Sequence, residues 1–452
     1  MPINNSAFSF DFINKIFENA RKIFFIGIGG VSMSALARYS YLCGKEIFGY
    51  DSYRGENCAR LEKFSKIKYY STPDSVCSMD LVIYSNAIDE NNFEYQNAKK
   101  LQIPTLSRAN FLEYVSKRSQ NQIAIAGTHG KSTTTSVLAK ILDFGQKKPT
   151  VFCGATMRDY QSELLWGGDE VCLYEACEYM DSFLSFHPTI GAVLNIEYDH
   201  PDYFKSYDSL LSSFNKFFNQ CKKIVAFIDD DGVKKALSGI DTGKVVTFSL
   251  RDRYADYFVK EKCDGFVLYK GGVPLVSAGG SLLGTPFIID EACASIIALE
   301  YGISPTCIAK AIGEAQGVGR RLEFIKKLNT SLPVFEDYAH HPTEIKATIS
   351  ALKSRGYGRI FCVFQPHTYS RTHYLYAEFI SALKMADELY ILPTYRAREE
   401  NIYGVSENDL AKKSGGTYIE GLEDVIPHLK ATNCDCAVFM GAGSITDFKK
   451  LI

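Results

Sequence analysis

The chain has 452 residues, of which 46% are hydrophobic and 23% are charged, and its formal net charge is −2. Because domains typically hold on the order of 150 residues, this length predicts about three folded units, each with its own core. A near-neutral charge argues against nucleic acid as a partner. The composition is typical of an ordinary soluble protein without a polybasic surface.

The N-terminal segment and the cysteines bear on the cellular compartment. Residues 1–17 mix polar and aromatic side chains and lack the basic start and apolar core of a signal peptide. No apolar run reaches the roughly 18 residues that would span a bilayer. The 13 cysteines are scattered, and Cys434 and Cys436 have no second pair at zinc-site spacing. We expect a cytoplasmic protein with reduced thiols and no membrane insertion.

A short apolar strand followed by a glycine turn opens the first predicted unit. Residues 22–28 predict a strand, Gly29 and Gly30 break it, and the following residues have the apolar spacing of a helix. Strands that alternate with helices form parallel sheets, whose ligands bind at the carboxyl ends of the strands. Further strands of this unit are predicted at 46–51 and 80–85.

The same pattern restarts after the polar residues 116–122, which indicates a domain boundary near residue 118. A second boundary is predicted around residues 317–321. We therefore predict domains at 1–118, 119–318 and 319–452. The central domain is predicted to hold strands at 123–127, 170–176, 189–196 and 223–229, helices at 133–145 and 289–304, and an antiparallel patch at 245–285. The third is predicted to hold strands at 333–339, 359–365, 388–393 and 436–441.

A candidate phosphate-binding loop lies between strand and helix in the central domain. Its glycines let backbone N–H groups face phosphate oxygens, the helix N-terminus adds positive potential, and Lys131 supplies a cation. Ser132 can bind magnesium through its hydroxyl. The strict G-x-x-x-x-G-K-[ST] pattern fails because Ile125 replaces its first glycine, so a chance glycine turn is the alternative. The loop consists of Gly127, Thr128, His129, Gly130, Lys131 and Ser132, followed by Thr133.

The sequence resembles the Mur ligases at many motifs in the same order. The shortened loop GTHGKS is one, and the others are GIGGVSM, YEACEY, NIEYDHPDYF, GVGRRLEF, EDYAHHPTEI and FQPHTYSRT. The last two most resemble members that add L-alanine to UDP-N-acetylmuramate. The resemblance implies an α/β fold of three domains: a Rossmann-like UDP-binding domain, a central P-loop ATPase-like domain and a C-terminal Rossmann-like domain. It also implies ATP and Mg²⁺ as cofactors, and we expect a monomer or weak homodimer.

The resemblance assigns roles to residues of the central and C-terminal domains. It implies that Arg320 and Asp337 join the phosphate loop in binding ATP, and that Arg321 lies near them. Without it, Glu175 would be only a strand-end carboxylate and Arg320 part of an exposed basic pair. The implied magnesium ligands are Ser132, Glu175 and His200, with Asn195 and Asp199 assisting. The implied amino-acid site holds Tyr338, His340, His341 and Arg371, and the implied catalytic residues are Lys131, His200 and His340.

The N-terminal glycine turn is open to more than one interpretation. With Asp51 it suggests a dinucleotide-binding fold, but Ser32 replaces the third glycine of G-x-G-x-x-G. The turn could also serve only to let a helix pack closely. The resemblance instead implies a cradle for the diphosphate of a UDP-sugar, formed by Gly27, Ile28, Gly29, Gly30, Asp51, Ser85 and Asn86.

One departure from the resembled family concerns adenine recognition. Relatives carry H-N-x-x-N before the helix expected at about residue 290, whereas this chain has Pro286, Phe287 and Asp290 at those three places. Phenylalanine can stack on a base but cannot hydrogen-bond to it. Two other readings therefore stay open: a divergent paralogue with another amino-acid or peptide substrate, and a catalytically silent nucleotide-binding protein. An NAD-dependent oxidoreductase would leave the phosphate loop unexplained.

Overall fold

The structure is a computed structural model that describes residues 9–72, 74–85, 88, 90–280, 284–328, 332–397 and 399–452. Its described strands form three sheets of five, ten and six strands. The chain is α/β, as the sequence predicts. In the described part of the chain, no helix is both long and apolar enough to cross a membrane.

The first sheet is parallel and has the order β3-β2-β1-β4-β5. Its central strand carries the apolar run that the sequence singles out, and four of its five residues are buried. The elements are α1 (Phe10–Asn19), β1 (Lys22–Ile26), α2 (Val31–Leu42), β2 (Glu46–Tyr50), α3 (Glu56–Leu61), β3 (Ser65–Lys68), β4 (Leu81–Tyr84), α4 (Phe93–Lys100), β5 (Thr105–Ser107) and α5 (Arg108–Lys117).

The second sheet has ten strands, and its first strand lies near the centre. Its elements are β6 (Asn121–Ala126), α6 (Lys131–Phe144), β7 (Thr150–Met157), β8 (Ser162–Leu165), β9 (Val171–Glu175), β10 (Ile190–Val193), α7 (Tyr207–Gln220), β11 (Lys223–Phe227), α8 (Asp231–Ala236), β12 (Val245–Ser249), β13 (Tyr257–Lys262), β14 (Gly265–Lys270), β15 (Val273–Gly279), α9 (Thr285–Glu300) and α10 (Pro305–Glu314). Their order is β15-β14-β13-β12-β11-β10-β6-β9-β7-β8.

Two sequence expectations for this region need correction. The patch predicted as antiparallel is antiparallel only across β13, β14 and β15, because β12 pairs with β13 in parallel. The helix predicted at 289–304 begins earlier, at Thr285. Pro286 is compatible with the first helical turn because the N–H groups there have no partner within the helix.

The third sheet is parallel apart from its first strand. The elements are β16 (Glu323–Leu328), β17 (Leu332–Asp337), α11 (Pro342–Ser354), β18 (Ile360–Phe364), α12 (Tyr369–Tyr374), α13 (Tyr376–Leu383), β19 (Glu388–Ile391), α14 (Glu407–Ser414), β20 (Thr417–Tyr418), α15 (Leu422–Ala431) and β21 (Cys436–Met440). The order is β16-β17-β21-β18-β19-β20, so the last strand lies between β17 and β18.

The chain packs into two compact units. The first comprises residues 1–196, 210–281 and 289–316, and therefore contains the first two sheets; the second comprises residues 197–209, 282–288 and 317–452. Within the first unit, α2 packs against β7 and β8. The Ser34 hydroxyl lies 3.0 Å from a Glu163 oxygen and Arg38 Nη1 donates to Ser162 at 2.5 Å, so polar side chains join the two sheets.

Candidate active site

The phosphate loop leaves β6 and enters α6 in the first unit. Gly127 and Gly130 have φ angles of 133° and 83°, which residues with a Cβ rarely adopt. A Cβ on Gly130 would lie 2.2 Å from Oδ1 of Asp290, and one on Gly127 would lie 3.2 Å from the Asn195 carbonyl oxygen. Both positions therefore require glycine. Among the described residues, no side chain caps α6 at Gly130, so the N-terminus of this helix can receive an anion.

Lys131 folds back over this loop. Its Nζ donates to the carbonyl oxygens of Gly127 and Thr128, the latter at 3.2 Å, and lies 3.2 Å from Oε2 of Glu178. The side chains of Lys131 and Glu178 are only 17% and 3% exposed. Burial alone would lower the pKa of Lys131, but the neighbouring Glu178 and Glu175 raise it overall. The ammonium group is therefore charged where a phosphate would lie.

Asn195 fixes the shape of the loop through three hydrogen bonds. Its carbonyl oxygen accepts from the Thr128 N–H at 3.1 Å, and its side chain accepts from the His129 N–H at 2.8 Å and donates to the His129 carbonyl at 3.2 Å. Asn195 follows β10, which pairs with β6 in parallel. The sequence suggested that Asn195 assists magnesium; in the structure its side chain binds the loop backbone.

Glu175 ends β9, the other neighbour of β6 in the sheet. Its Oε1 accepts from the Gly154 N–H and from the Cys153 thiol, the latter at 3.3 Å. Both donors bind the same oxygen, so within the described part of the chain Oε2 of Glu175 accepts no hydrogen bond. Ser132 lies alongside, since its carbonyl oxygen is 3.7 Å from the Cys153 sulfur. The structure therefore brings Ser132, Glu175 and Lys131 to one edge of the sheet.

The N-terminal glycine turn lies at the carboxyl end of β1. Gly27 has a φ of 79° and packs against Ser85. A Cβ atom added to Gly27 would lie 3.2 Å from the Cβ of Ser85. The Gly29 N–H donates to Asp51 at 2.8 Å, so Asp51 holds the turn. Ile28 is buried, and Gly30 caps α2 without a side-chain hydrogen bond. Asn86, the remaining residue predicted here, lies outside the described residues.

In the second unit, Arg371 forms a buried ion pair with Asp199. Its Nε and Nη2 donate to the two carboxylate oxygens at 2.9 and 3.1 Å, and Nη1 lies 3.1 Å from Nδ1 of His367. Burial raises the pKa of Asp199, but Arg371 and His200 hold it well below its usual value. The guanidinium predicted to bind the amino acid is therefore bound to a protein carboxylate in this structure.

Two neutral imidazoles lie beside this ion pair. The rings of His340 and His367 are 5.9 Å apart, and His367 stacks on Tyr395 at 5.5 Å. Burial lowers the pKa of His340 to about 3 and that of His367 to about 4. Nδ1 of His340 lies 2.9 Å from the Tyr338 carbonyl oxygen. Neutral imidazoles of this kind can accept protons or hydrogen bonds from a ligand.

The remaining predicted residues of the second unit make structural contacts. Arg320 Nε lies 2.8 Å from the buried Glu336, and its guanidinium covers the Tyr338 ring at 4.8 Å. Asp337 accepts hydrogen bonds from the backbone of Leu322 and Ala339, and burial raises its pKa to about 6. The side chain of His341 caps α11.

His200 has a φ of 55°, and its backbone N–H donates to the Asp199 carboxylate at 2.8 Å. Nη1 of Arg321 lies 2.8 Å from Oε1 of Glu344.

Comparison with known proteins decides the family. The Mur ligase catalytic, middle and glutamate ligase domain families match residues 22–120, 125–273 and 320–443. The UDP-N-acetylmuramate–L-alanine ligase of Caldicellulosiruptor bescii is 35% identical over 448 residues, covering 94% of this chain and 96% of that protein. The enzyme of that name from Caldanaerobacter subterraneus is 36% identical and covers 95% and 96%. The chain belongs to the Mur ligase family.

Solved structures show the same Mur ligase fold. The UDP-N-acetylmuramate–alanine ligase of Thermotoga maritima superposes with a TM-score of 0.81 at 24% identity, covering 95% of this chain and 97% of that one. A murein peptide ligase of Psychrobacter arcticus has a TM-score of 0.72 at 21% identity, with the same coverage. The predicted fold class and family are therefore confirmed, and as a Mur ligase the chain is an ATP-dependent ligase.

The residues around the loop of this Mur ligase fit magnesium and triphosphate. Magnesium prefers oxygen ligands, and Glu175 offers the carboxylate oxygen left over after its two donors. The open N-terminus of α6 and the charged Lys131 suit phosphate. Sequence reasoning missed Cys153 and Glu178, because a thiol in a strand and an acid in a loop carry no local signature of their partners.

Proposed function

We propose that this Mur ligase joins L-alanine to the carboxylate of UDP-N-acetylmuramate, with ATP converted to ADP and phosphate, in peptidoglycan precursor synthesis. The observation that carries the proposal is the similarity along nearly the whole chain to ligases of that name, at 35% identity. Since ATP and nucleotide sugars are cytoplasmic metabolites, we place the reaction in the cytoplasm.

The first step activates the carboxylate of the sugar. A carboxylate oxygen forms a bond to the γ-phosphorus of ATP, the bond from that phosphorus to the β-phosphate bridging oxygen breaks, and ADP leaves with its electrons. Catalysis of phosphoryl transfer rests on positioning and charge neutralisation. The loop 127–130 would hold the phosphates with its N–H groups, and Lys131 would neutralise them. Ser132, Glu175 and His200 would hold Mg²⁺, which supplies further positive charge to the phosphate oxygens.

The second step forms the amide. The amine of L-alanine attacks the acyl carbon, phosphate leaves, and one amine proton is lost. His200 and His340 are the candidates for accepting this proton. Burial keeps the imidazole of His340 neutral, but its lowered pKa of about 3 also makes it a weak base. We assign Arg320 and Asp337 to ATP, and Tyr338, His341 and Arg371 to the amino acid. The turn formed by Gly27, Ile28, Gly29 and Gly30, with Asp51, Ser85 and Asn86, would hold the UDP-sugar.

The test of the proposal is phosphate release from UDP-N-acetylmuramate, ATP and magnesium, with each amino acid added singly. Release that depends on L-alanine is the expected result. Release with a different amino acid or with a peptide would contradict the substrate assignment. No release with any of them would favour a silent nucleotide-binding protein.

Replacing Glu175 by glutamine tests the metal assignment. The amide is nearly isosteric but carries no net charge for a hard cation, so we expect Glu175→Gln to need about tenfold more magnesium for half-maximal rate. The magnesium titration is compared with that of Glu163→Gln, a change at another acid of the same sheet, on β8. Superimposable titrations of Glu175→Gln and wild type would remove Glu175 from the metal site.

Phe287 provides a test of base recognition. The residue is half-buried within the first turn of α9. If it stacks on the purine, recognition depends on shape, and GTP should support turnover within about tenfold of ATP, because no polar group of the site is left unpaired by the wrong base. Phe287→Asn should then increase the preference for ATP. A wild-type enzyme that strictly requires ATP would show that Phe287 is only a packing residue.

A further inference from the structure

Arg108 stands at the carboxyl edge of the first sheet. It is the first residue of α5, directly after β5, and the helix is capped by the Ser107 side chain. Ligands of parallel sheets bind at this edge. The glycine turn that follows β1 lies at the same edge, because β1, β4 and β5 run parallel.

The Arg108 guanidinium lies between the two sheets of the first unit. Its Nη1 is 3.3 Å from the Ser32 hydroxyl, and its Nη2 is 3.4 Å from the Ser182 hydroxyl. Ser32 belongs to the first turn of α2, just after the glycine turn. Ser182 belongs to the 3-10 helix Tyr179–Ser185, which follows Glu175 at the end of β9. The guanidinium therefore lies between the candidate UDP-sugar cradle and the candidate phosphate-transfer site.

The ionic surroundings of Arg108 differ from those of two arginines in the second unit. Arg371 is paired with Asp199 and Arg321 with Glu344. The hydrogen bonds of Arg108 to described residues go to the two serine hydroxyls, at long distances, and within that part of the chain it has no carboxylate in salt-bridge range. Burial lowers the pKa of Arg108. The nearby Cys177 and Glu175 act in the opposite direction on that pKa. A half-buried guanidinium whose described hydrogen bonds go only to two hydroxyl groups retains donors for an anionic ligand.

We propose that Arg108 binds the carboxylate of the UDP-sugar that becomes phosphorylated. The proposal rests on the proposed function, which requires this carboxylate to approach the γ-phosphate of ATP. Both groups are anions, so their approach is unfavourable unless a cation neutralises the carboxylate. A guanidinium also binds a carboxylate through two parallel hydrogen bonds, which fixes the attacking oxygen.

The experiment uses isothermal titration calorimetry to measure the dissociation constants of two ligands for the wild-type protein and three variants. UDP-N-acetylmuramate carries the carboxylate, whereas UDP-N-acetylglucosamine shares the uridine, the diphosphate and the N-acetyl sugar but lacks it. The variants are Arg108→Gln, Arg108→Lys and, as a control in the same unit, Arg21→Gln, whose arginine forms an exposed ion pair with Glu46. Binding of UDP-N-acetylglucosamine also reports whether each variant is folded.

We expect Arg108→Gln to weaken UDP-N-acetylmuramate binding by about 10- to 100-fold, the usual effect of losing a hydrogen bond to a charged group, and to leave UDP-N-acetylglucosamine unchanged. Arg108→Lys should fall between Arg108→Gln and wild type, because lysine keeps the charge without the paired donors. Arg21→Gln should change neither ligand.

Two results would overturn the inference. Equal weakening of both ligands by Arg108→Gln would show that Arg108 binds the diphosphate, and unchanged binding of both would show that it binds neither group. Failure of the proposed function has a separate signature, which is the absence of L-alanine-dependent phosphate release by the wild-type protein.

Discussion

Replacing Lys131 by methionine is expected to reduce turnover by at least about a thousandfold, because the phosphate loop loses the cation that neutralises the transferred phosphate. Methionine keeps the apolar stem of the side chain and lacks only the ammonium group at its end. The substitution leaves Glu178 buried without its ammonium partner, so a moderate loss of stability, about 1–3 kcal/mol, should accompany the loss of activity. Phosphate release and thermal unfolding measure the two effects separately.

Lys140→Met is the matched control for this substitution. Lys140 lies on the same helix, α6, its side chain is 22% exposed against 17% for Lys131, and its ammonium is 3.3 Å from Asp159. We expect Lys140→Met to lose some stability but to keep turnover near that of wild type. If Lys131→Met also turned over at such a rate, the phosphate-loop assignment would be wrong.

Arg371→Met is expected to destabilise the second unit by about 3–5 kcal/mol, because it leaves the carboxylate of Asp199 buried without a counter-charge. Asp199 is 6% exposed, and both of its oxygens accept from Arg371. Chemical denaturation, monitored with a spectroscopic probe placed in the second unit, measures the change in the free energy of unfolding. The double variant Asp199→Asn with Arg371→Met should recover part of the loss, since the uncompensated charge is gone.

Arg359→Met provides the comparison for Arg371→Met. Arg359 also pairs with a carboxylate of the second unit, Glu388 at 3.4 Å, but its side chain is 56% exposed. A surface pair of this kind contributes at most about 1 kcal/mol, so Arg359→Met should have a small effect. Equal destabilisation by the two substitutions would show that the Asp199–Arg371 pair is no stronger than a surface contact.

The parts of the fold that have a local signal could be predicted from the sequence. The strand before Gly127 and the helix after Lys131 are indicated by a change from an apolar run to helical spacing, with glycines between them. The strand that ends at Glu175 is indicated by its apolar run alone. The β7 and β8 strands were not predicted, because Gly154 interrupts one run and the other is only four residues long.

The contacts that shape the site could not be predicted, because they join residues far apart in sequence. Asn195 binds the backbone of His129 across 66 residues, and Arg371 binds Asp199 across 172. Nothing near Asn195 in the sequence specifies that β10 lies beside β6. The resemblance to a family supplied candidate residues for each ligand, but the partners of their side chains come from the sheet order.

The position of β21 has a consequence for the synthesis of this protein. The strand fills the gap between β17 and β18, yet it follows β18 by more than 70 residues. Until the ribosome has released it, β17 and β18 each expose an unpaired edge of apolar strand. Such edges can pair with other chains. The nascent third sheet therefore keeps two such edges exposed until β21 has been synthesised.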